Sequence, residues 1–547
     1  MSLNVANQIT DIALQYPHKR SVVMPVKSFF SSSYSYKHLT FIELEGRINR
    51  FCHRLLRLGV KRGDKVLLFV KPSIDFSVLT FALFKIGATP ILIDPGMGVK
   101  NFLNAVEGVG ADVLLGIPKA HLLSRIFYKK FKSIRLYLNT SSFALFSKSI
   151  TRSLNKEVAL FEATDMSEDE MAAILFTSGG TGIPKGVVYT HSIFIEQTKM
   201  LQREFNLTDE DIDIPGFPLF ALFTLSMGMT SCIPDMDPSK PGKSDPKKLL
   251  ENIKDQGATF VAGSPAIWKN LADHCLKNRI TLPSVKYLVM FGAPIPVELH
   301  QKFKKILPFG TTFTPYGATE CLPVSNTSGK EVLTETAQET LSGKGTCIGL
   351  PFSGVDIKII KNSFDPIENI SGVIELPNYE IGEIIVQSKS VTPGYLNMPK
   401  KTALAKIGDD KGLWHRMGDM GYKDVKGQVW FCGRQSHAFK FNDKSFYPIT
   451  IENVINQHPE IDKSALVKKD GIGPVLILQR KDKKTAVSLK AHEKLVTELQ
   501  ELTSNIDQAK FIKELIFHES LPVDVRHNIK IDRLKLTQSI NQKMDEK

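Results

Sequence analysis

The 547-residue sequence lacks the marks of several protein classes. It contains only six cysteines, and none of them forms a CxxC pair. This spacing argues against zinc ribbons and redox dithiols and fits a reducing cytosol. No run of about 18 apolar residues could span a membrane, and the first residues lack the basic-then-apolar pattern of a secretory signal. We therefore expect a cytoplasmic protein.

Signatures of nucleic-acid binding are absent as well. The net charge is +13, but the basic residues are dispersed, and there is no zinc finger, RNA-binding signature or basic-region zipper. The positive charge therefore favours an anionic substrate such as ATP, or an anionic membrane surface, over nucleic acid. A hydrophobic content of 42% and a charged content of 23% are ordinary for a globular chain.

A stretch rich in Gly, Ser and Thr, FTSGGTGIPKGV, occupies residues 176–187. Its glycines let the backbone approach a ligand closely, and successive N–H groups in such a loop form a concavity that holds anions. Side-chain donors are supplied by Thr177, Ser178, Thr181 and Lys185. No Gly-Lys-Ser/Thr closes the stretch, so it is not a Walker A loop. Between two apolar runs that predict strands, it indicates a nucleoside triphosphate site; the alternative is a surface loop.

The order TSGGTGxPKG resembles the phosphate loop of the acyl-adenylate-forming (ANL) superfamily of AMP-dependent synthetases and ligases. The usual form is TSGTTGxPKG, so Gly180 replaces a threonine and one hydroxyl is lost. The resemblance implies a catalytic and metal-binding role for Thr177. It also implies that the phosphates of ATP are held by Ser178, Gly179, Gly180, Thr181, Gly182 and Lys185.

A second motif, TPYGATE at residues 314–320, matches the YGxTE motif of the same superfamily. The ring of Tyr316, followed by Gly317, offers a surface to a base. Thr319 offers a hydroxyl to phosphate, and Glu320 offers a hard oxygen ligand to Mg²⁺. We expect ATP and Mg²⁺ as cofactors, with Glu320 as a catalytic and metal-binding residue.

A predicted strand at residues 287–291 ends at Gly292, Ala293 and Pro294. Ligands of α/β sheets bind beyond the carboxyl ends of the strands, and Gly292 leaves room for a flat base. The resemblance implies that this turn holds adenine.

The apolar stretch at residues 213–229 predicts core packing. In the family the same stretch lines the acyl pocket, so the resemblance implies a substrate pocket at Phe217 and Phe220. Gly263, at the end of another predicted strand, is assigned to the same pocket.

Residues 414–434 carry the family order GD, then DxxG, then GR. The Asp419 carboxylate can accept hydrogen bonds from both ribose hydroxyls, and Arg434 can support the ribose or a phosphate. The alternative is a hairpin closed by a salt bridge.

Hydrophobic periodicity predicts an α/β fold. Residues 39–59 read as an amphipathic helix with Thr40 as its N-cap, and strands and helices then alternate, which implies a parallel sheet covered by helices. The resemblance implies a large N-terminal domain, with two α/β subdomains and a β-barrel, and a small mobile C-terminal α+β domain. The expected boundaries are 1–433 for the large domain (subdomains 1–344, barrel 345–433), 434–440 for the hinge and 441–547 for the small domain. Ser436 stands where the family hinge has Asp or Lys.

The segment LPVDVRHNIKIDRLKL at residues 521–536 replaces the family pattern PKTxxGKxxR. Lys530, three residues before Arg533, matches the catalytic lysine, and Lys535 is the alternative. Lys530 would lie where the substrate carboxylate meets the α-phosphate, so that its charge offsets the repulsion of two anions. His191 and His527 are each either structural or able to assist deprotonation of a substrate hydroxyl.

The acceptor of the activated acid is indicated by a missing glycine. CoA ligases of the superfamily have glycine nine positions after the arginine of GR, where pantetheine passes; this chain has Asp443 there and no glycine between Gly433 and Gly471. The PVDVRHNxKI pattern and the YTH after the phosphate loop resemble the β-lactone synthetases of bacterial olefin biosynthesis. Those enzymes convert long-chain 2-alkyl-3-hydroxy acids and ATP to β-lactone, AMP and pyrophosphate. The alternatives are a long-chain acyl-CoA or acyl-carrier-protein ligase and a non-catalytic nucleotide-binding relic.

Residues 120–138 combine five basic side chains with Leu, Ile, Phe and Tyr. They read either as a solvated helical face or as a contact with anionic lipid or a partner protein. The second reading would make the enzyme peripheral to the inner membrane. The remaining partners expected are the long-chain acid and an assembly with upstream pathway enzymes.

Overall fold

A computed structural model describes most of the chain, namely residues 3–27, 33–142, 147–152, 159–177, 184–482, 489–523 and 531–545. In chain order the strands are β1 Arg20–Lys27, β2 Tyr34–Thr40, β3 Lys65–Phe69, β4 Thr89–Leu92, β5 Val113–Gly116, β6 Leu136–Asn139, β7 Lys148–Ser149, β8 Met171–Thr177, β9 Lys185–Thr190, β10 Ile212–Pro215, β11 Thr230–Cys232, β12 Phe260–Gly263, β13 Tyr287–Met290, β14 Thr311–Phe313, β15 Tyr316–Ala318, β16 Cys321–Asn326, β17 Thr346–Pro351, β18 Asp356–Ile360, β19 Gly382–Gln387, β20 Lys406–Asp409, β21 Gly412–Lys423, β22 Val429–Arg434, β23 Phe439–Phe441, β24 Lys444–Phe446, β25 Ile461–Lys469, β26 Gly473–Arg480 and β27 Glu514–Phe517.

The helices follow the same order along the chain. They are α1 Asn7–Gln15, α2 Phe41–Leu58, α3 Ile74–Lys85, α4 Val99–Val109, α5 Pro118–Ile126, α6 His191–Glu204, α7 Phe220–Ser226, α8 Pro246–Gln256, α9 Pro265–Lys277, α10 Val297–Ile306, α11 Gly329–Glu331, α12 Ala337–Leu341, α13 Pro399–Ala405, α14 Pro448–Ile455, α15 Leu489–Leu502 and α16 Arg533–Asp545. In the described residues none of these helices is long and apolar enough to cross a membrane.

Helix α2 confirms the prediction of an amphipathic helix with a capped start. The Thr40 hydroxyl accepts a hydrogen bond from the Glu43 backbone N–H, and the Glu43 carboxylate accepts one from the Thr40 N–H at 2.8 Å. This capping box satisfies two amide groups that would otherwise lack partners. The helix ends at Gly59, whose φ of 103° is in the left-handed region that glycine adopts without strain.

Two seven-stranded sheets form the N-terminal part of the molecule. Sheet I has the order β14-β13-β12-β10-β11-β1-β2, and sheet II has the order β7-β6-β5-β3-β4-β8-β9. In each sheet six strands are parallel, and the seventh, β2 or β9, is an antiparallel edge. The two sheets therefore share one topology, and the predicted α/β fold with parallel sheets is confirmed.

The N-terminal region has two halves, β1 to β7 and β8 to β14, and each half adds a hairpin to the sheet of the other. Sheet II consists of β3 to β7 from the first half and the hairpin β8-β9 from the second. Sheet I consists of β10 to β14 from the second half and the hairpin β1-β2 from the first. A core cluster between the sheets unites residues from both halves, including Phe51, Phe81, Phe194 and Leu225. Burial of this shared apolar surface holds the sheets together.

An eight-stranded antiparallel sheet, sheet III, follows with the order β15-β16-β17-β22-β21-β19-β18 and β20 beside β21. It corresponds to the predicted β-barrel, but it begins at Tyr316 instead of Gly345. Its order has two ends, so within the described residues backbone pairing does not close it into a barrel. The C-terminal part contains the hairpin β23-β24 and a three-stranded sheet, β25-β26-β27, with its own core cluster around Ile451, Leu466 and Leu476.

The region 120–138 is helical only at its start. Helix α5 ends at Ile126, a 3-10 turn covers Tyr128–Phe131, and β6 begins at Leu136. The expectation of one solvated helical face over the whole stretch is therefore wrong. The reason is tertiary: Phe131, Ile134 and Leu136 are buried against the cluster under α4 or between the sheets, so these apolar positions belong to a turn and a strand.

Candidate active site

A continuous cleft with a volume of about 3080 Å³ runs between the sheets and the C-terminal part. Most of the described site residues predicted from the sequence line it, namely Thr177, Lys185, Phe217, Phe220, Gly292, Ala293, Pro294, Tyr316, Gly317, Thr319, Glu320, Asp419 and Arg434. Ser178, Gly179, Gly180, Thr181, Gly182 and Lys530 lie outside the described residues.

The ends of the phosphate loop are fixed by the hairpin β8-β9. Thr177, the last residue of β8, pairs in antiparallel register with Lys185, the first residue of β9. The loop between them therefore starts and ends at one point of the cleft. Burial lowers the pKa of Lys185; the nearby Glu320 opposes this shift, and the positive charges of Lys401 and Arg434 add to it.

Tyr395 links the two charged residues of this part of the cleft. Its hydroxyl donates a hydrogen bond to Glu320 Oε1 at 2.7 Å, and the Lys185 Nζ lies 3.5 Å from the same hydroxyl and 4.6 Å from the centre of the ring. Burial and the Glu320 charge raise the pKa of Tyr395, which keeps the hydroxyl protonated as a donor. Residue types alone do not reveal this bridge, because Tyr395 is 75 residues from Glu320 and 210 from Lys185 in the chain.

The backbone carbonyl of Glu320 is held by two hydrogen bonds from one residue. Thr392 donates two hydrogen bonds to the Glu320 carbonyl, from its N–H and from its hydroxyl, each at 3.0 Å. Lys406 Nζ lies 3.5 Å from the Thr392 hydroxyl, and burial lowers the pKa of this lysine to about 8. No sequence pattern identifies this buried lysine, because its burial depends on tertiary packing.

The donor set around Glu320 fits Mg²⁺. Mg²⁺ commonly binds one or two carboxylates and takes its other ligands from substrate phosphates and water. Glu320 presents one carboxylate to the cleft, which Thr177 also lines. Thr177 pairs in register with Lys185, and Lys185 and Glu320 both contact the Tyr395 hydroxyl. In the described part of the chain, no cluster of three His, Cys, Asp or Glu side chains could hold a metal without a substrate.

Asp419 and Arg434 face each other on adjacent strands. They are direct partners in the register of β21 and β22, and Arg434 Nη1 lies 3.1 Å from Asp419 Oδ1. The Tyr316 hydroxyl donates to Asp419 Oδ2 at 2.5 Å. Burial and the Asp419 charge raise the pKa of Tyr316 well above its usual range. A hairpin with a salt bridge is therefore present, and both of its members also line the cleft.

The glycines of the site serve different structural needs, a left-handed backbone conformation at one position and close packing at another. Gly292 follows β13 with a φ of 90°, a conformation that favours glycine. At Gly317 an added Cβ would come within 3.1 Å of the Cys321 carbonyl oxygen, so that glycine also serves close packing. The Thr319 carbonyl accepts a hydrogen bond from the Tyr189 hydroxyl at 2.6 Å, which fixes the turn before Glu320.

Aromatic rings form the apolar wall of the cleft. Phe220 stacks on Phe291 with ring centres 4.5 Å apart, and Phe217 lies edge-on to Phe220 at 6.1 Å. Gly263 does not line the cleft. A Cβ there would lie 3.4 Å from the Gly216 Cα and 3.2 Å from the Ile267 Cδ1, so the missing side chain makes room for packing inside sheet I instead of a substrate.

Comparison with known proteins shows the family of this chain. Residues 10–396 match the family described as AMP-binding enzyme. Two olefin beta-lactone synthetases, from Xanthomonas campestris pv. campestris and Stenotrophomonas maltophilia, are each 34% identical; the alignments cover 97% of this chain and 96% and 97% of theirs. This chain belongs to the AMP-binding enzyme family. The resemblance of its TSGG and YGATE motifs to the acyl-adenylate-forming superfamily is thereby confirmed.

Solved structures share the fold of this AMP-binding enzyme. The amide bond synthetase McbA from Marinactinospora thermotolerans matches with a TM-score of 0.80 at 20% identity, over 98% of this chain and 99% of McbA. O-succinylbenzoate coenzyme A synthetase (MenE) from Bacillus subtilis, solved with AMP, matches with a TM-score of 0.74 at 20% identity, over 97% and 98% of the two chains.

In the C-terminal part of the AMP-binding enzyme, Arg533 and Glu452 form an ion pair. Arg533 Nη2 lies 2.6 Å from Glu452 Oε1, and the same carboxylate oxygen accepts a hydrogen bond from the Leu466 N–H at 2.8 Å. Glu452 is buried and the Arg533 side chain is 11% exposed. Arg533, the residue predicted to accompany Lys530, thus has a structural partner. Lys535, the alternative lysine, is exposed and reaches the outer part of the cleft.

His191 has a structural position. It is the buried first residue of α6, where its Nδ1 accepts a hydrogen bond at 3.2 Å from the N–H of Val5, just before α1. Burial lowers the pKa of His191 to about 4, so the ring is neutral. It is not among the described residues that line the cleft, which supports its structural reading. His527 lies outside the described residues.

Proposed function

We propose that this AMP-binding enzyme activates a long-chain 2-alkyl-3-hydroxy acid with ATP and closes the acyl-adenylate to a β-lactone, releasing AMP and pyrophosphate. The observation that carries the proposal is the 34% identity, over nearly the full length of both chains, to two olefin beta-lactone synthetases. The cleft supports it, because charged groups around Glu320 and Asp419 adjoin an aromatic wall around Phe220.

In the first step a carboxylate oxygen of the acid attacks the α-phosphorus of ATP, and the bond to pyrophosphate breaks. Two anions must approach each other, so catalysis depends on charge stabilisation more than on a strong base. We assign Lys530 to the meeting point of the carboxylate and the α-phosphate. The loop from Thr177 to Lys185 then holds the leaving pyrophosphate.

Glu320 and Thr177 would hold Mg²⁺ at the phosphates. The ion neutralises phosphate charge when it is bound. Tyr395 keeps the Glu320 carboxylate in place by its hydrogen bond and keeps Lys185 beside it. Both charged residues are thus oriented toward the same part of the cleft before a substrate arrives, which reduces the reorganisation that binding requires.

The nucleoside of ATP is assigned to the turn from Gly292 to Pro294 and to the ring of Tyr316. Asp419 would accept hydrogen bonds from the ribose hydroxyls, with Arg434 beside it. The Tyr316 hydroxyl and the Arg434 guanidinium already contact this carboxylate. They fix its rotamer and stabilise its charge in a partly desolvated site.

In the second step the β-hydroxyl oxygen of the same molecule attacks the acyl carbon. A new C–O bond closes the four-membered ring, the bond to AMP breaks, and the hydroxyl proton is released. The reaction is intramolecular, so fixed orientation offsets the strain of the ring.

The hairpin β23-β24 supports an acceptor other than CoA. Its turn consists of Asn442 and Asp443, with φ values of 47° and 59°. The turn therefore keeps the left-handed backbone that glycine favours, while Asp443 adds an exposed carboxylate where a CoA ligase would need open space. A negative charge at this point also repels the phosphates of CoA.

The experiment that tests the proposal is a product assay. The purified protein is incubated with ATP, Mg²⁺ and a long-chain 2-alkyl-3-hydroxy acid, with and without CoA, and the products are identified by proton NMR. We expect a β-lactone and AMP without CoA. A thioester that forms only when CoA is present would refute the proposal and establish the ligase alternative.

We further propose that α5 and the turn after it contact an anionic membrane. Leu122, Ile126 and Tyr128 are 63%, 63% and 64% exposed. The exposed basic residue Arg125 lies between Leu122 and Ile126, and the exposed Lys129 follows Tyr128. Exposed apolar side chains beside basic ones favour an anionic bilayer surface. Co-sedimentation with anionic vesicles, but not with neutral ones, is expected, and Ile126→Glu should abolish it. Equal sedimentation of the variant would contradict the contact.

We also propose residues 434–440 as the hinge between a large domain and the segment 441–547. Strand β22 ends at Arg434, and a 3-10 turn covers Gln435–His437 before the hairpin begins at Phe439. The Gln435 side-chain amide donates a hydrogen bond at 2.9 Å to the carbonyl oxygen of Ser363, which lies in the loop after β18 of sheet III. Breaking this hydrogen bond would allow the C-terminal part to change its orientation relative to the large domain.

A further inference from the structure

Sheet II contains a topological switch point that the proposed nucleotide site does not use. The chain passes from β3 to β4 on one side and then crosses to β5 on the other side of β3. Helix α3 packs in the cluster on one face, and α4 and α5 pack in the cluster on the opposite face. In open α/β sheets, ligands bind outside the carboxyl ends of the strands at such a reversal.

The cleft at this point is lined mostly by apolar side chains, with the charged Lys71, Asp94 and Lys119 beside them. We name the switch-point crevice by the residues that line it, Phe69, Ile93, Phe102, Ile117, Leu123 and Phe176. The strands β5, β3, β4 and β8 are consecutive parallel neighbours, so their carboxyl ends lie side by side. Phe69 and Phe102 approach each other at 5.1 Å between ring centres. A row of apolar groups thus follows one edge of the sheet.

The crevice leads directly to the phosphate loop. Phe176, at its inner end, immediately precedes Thr177, and its ring lies over Gly186, where an added Cβ would come within 3.1 Å of the Phe176 Cζ. From β8 to β5 there are three strand spacings of about 4.8 Å, so the row is about 14 Å long. An extended alkyl chain that starts at the reacting centre fits along such a row.

The cleft reaches both faces of sheet II at the same strands. Leu92 and Ile93 are neighbours in sequence, as are Leu175 and Phe176, and all four line the cleft. Because successive strand residues point to opposite faces, the cleft encloses the ends of β4 and β8. Leu92 and Leu175 pack with the cluster that contains the Phe220 wall, while Ile93 and Phe176 pack with the cluster under α4 and α5.

We infer that the switch-point crevice binds one of two alkyl chains of the substrate, while the other chain lies against the Phe220 wall. This inference rests on the proposed function, because a 2-alkyl-3-hydroxy acid carries two chains on adjacent carbons. An acid with a single chain would need only one of the two apolar branches. The site is then specific for an acid with two alkyl chains, whose carboxyl group lies between the crevice and the Phe220 wall.

The test fills the crevice and varies the chains one at a time. Leu123→Trp places a large ring in the crevice from α5. Leu122→Trp, one residue earlier on the same helix, is the matched control, because Leu122 is 63% exposed. Rates of pyrophosphate release are measured in vesicle-free solution with three acids: one with two long chains, one with a methyl group as the 2-alkyl chain, and one shortened at the 3-hydroxyalkyl chain.

Leu123→Trp should lower kcat/KM for the two-chain acid by about tenfold or more. One of the two shortened acids should be used as well as by the wild type, and that acid identifies the chain that occupies the crevice. Leu122→Trp should stay within about twofold of the wild type for every acid. The milder Leu123→Phe should show the same pattern with a smaller loss, and it serves if the Trp variant does not fold.

Equal losses of Leu123→Trp on all three acids, or no loss on any, would overturn the inference. The proposed function is judged separately, from the product that the wild type forms. If the wild type makes a thioester with CoA and no lactone, the proposed function fails. The dependence of pyrophosphate release on chain length still decides the crevice, because adenylation precedes the choice of acceptor.

Discussion

Sheets I and II have the same strand order, but their switch points differ in one respect. In sheet I the strand end Gly263 is followed four residues later by Ile267, whose Cδ1 would be 3.2 Å from a Cβ at Gly263. In sheet II the equivalent strand end is Gly116, and four residues later stands Ala120, which lines the cleft. In both sheets the glycine makes room for the following helix, since a Cβ at Gly116 would lie 3.1 Å from the Ala120 Cβ. The cleft also reaches both switch points, with Pro234 and Ala266 lining it at sheet I. The two crevices therefore differ in the volume of one helix side chain, isoleucine in sheet I and alanine in sheet II.

The largest expected effect comes from removing the catalytic lysine, and it should not depend on which alkyl chains the acid carries. Lys530→Ala should lower the rate of pyrophosphate release by about 10²-fold or more for every acid, whatever its chains, because charge stabilisation at the α-phosphate is lost. Lys535→Ala is the control and should stay close to the wild type. Circular dichroism checks that both variants are folded. Near-wild-type pyrophosphate release by Lys530→Ala would remove the assignment.

The comparison of the two switch points predicts the next effect. Ala120→Ile gives the crevice of sheet II the larger side chain that Ile267 provides at the equivalent position of sheet I, and it should narrow that crevice. We expect kcat/KM for the two-chain acid to fall about tenfold, with recovery for one of the shortened acids. The matched change on the exposed face of the same helix is Leu122→Ile. If Ala120→Ile lowers kcat/KM equally for all three acids, the side chain at this position does not determine chain specificity.

A smaller effect is expected at the polar end of sheet II. Tyr395→Phe removes the hydroxyl between Glu320 and Lys185 but keeps the ring, so the two charged groups lose their fixed positions. KM for MgATP should rise by roughly fivefold, since the net contribution of a hydrogen bond is about 1 kcal/mol. kcat should change less. Tyr379→Phe, an exposed tyrosine far from this contact, is the control; an unchanged KM in Tyr395→Phe would show that the bridge has no positioning role.

The smallest effect concerns acid stability. Burial lowers the pKa of His300, which packs between α10 and β14 of sheet I, to about 4. The unfolded chain binds a proton near pH 6.5, whereas the folded protein does not until about pH 4. Stability is therefore fully present above pH 6.5 and is lost as the pH falls toward 4.

Urea unfolding at pH 7 and pH 5 measures this loss. The wild type should lose about 1–2 kcal/mol from this group over that interval, and His300→Gln should show a flatter dependence on pH. Lys305→Gln, an exposed lysine on α10, the helix that carries His300, is a control for surface charge. A variant with the same pH dependence as the wild type would exclude His300 as the cause.

The parts predictable from sequence were those with local causes. The cap of α2 and the strands around the phosphate loop follow from short-range patterns, and the structure has them within a residue or two. The motifs around Lys185 and Glu320 were found because their residue types and order are specific. The structure adds that they meet through Tyr395, a contact across 75 residues that residue types alone do not encode.

The predictions that failed depended on tertiary packing. Gly263 was assigned to the substrate pocket because a missing side chain makes space, but the space is taken by Gly216 and Ile267. Residues 120–138 were read as a helical face because their apolar spacing continues beyond Ile126, where the chain instead turns to enter β6. The accessible crevice at Ala120 could not be predicted, because it is recognised only when the two sheets are compared.

The exchanged hairpins have a consequence for how the chain is made. Strand β1 emerges from the ribosome early, yet Val22 pairs with Ser231 of β11, roughly two hundred residues later. Until β11 is synthesised, the β1-β2 hairpin has an open edge, and open edges invite pairing with other chains. Such long-range pairing is slow to form. We expect nascent chains that stop short of Thr230 to aggregate or recruit chaperones, and newly made protein to become protease-resistant only after sheet I is complete.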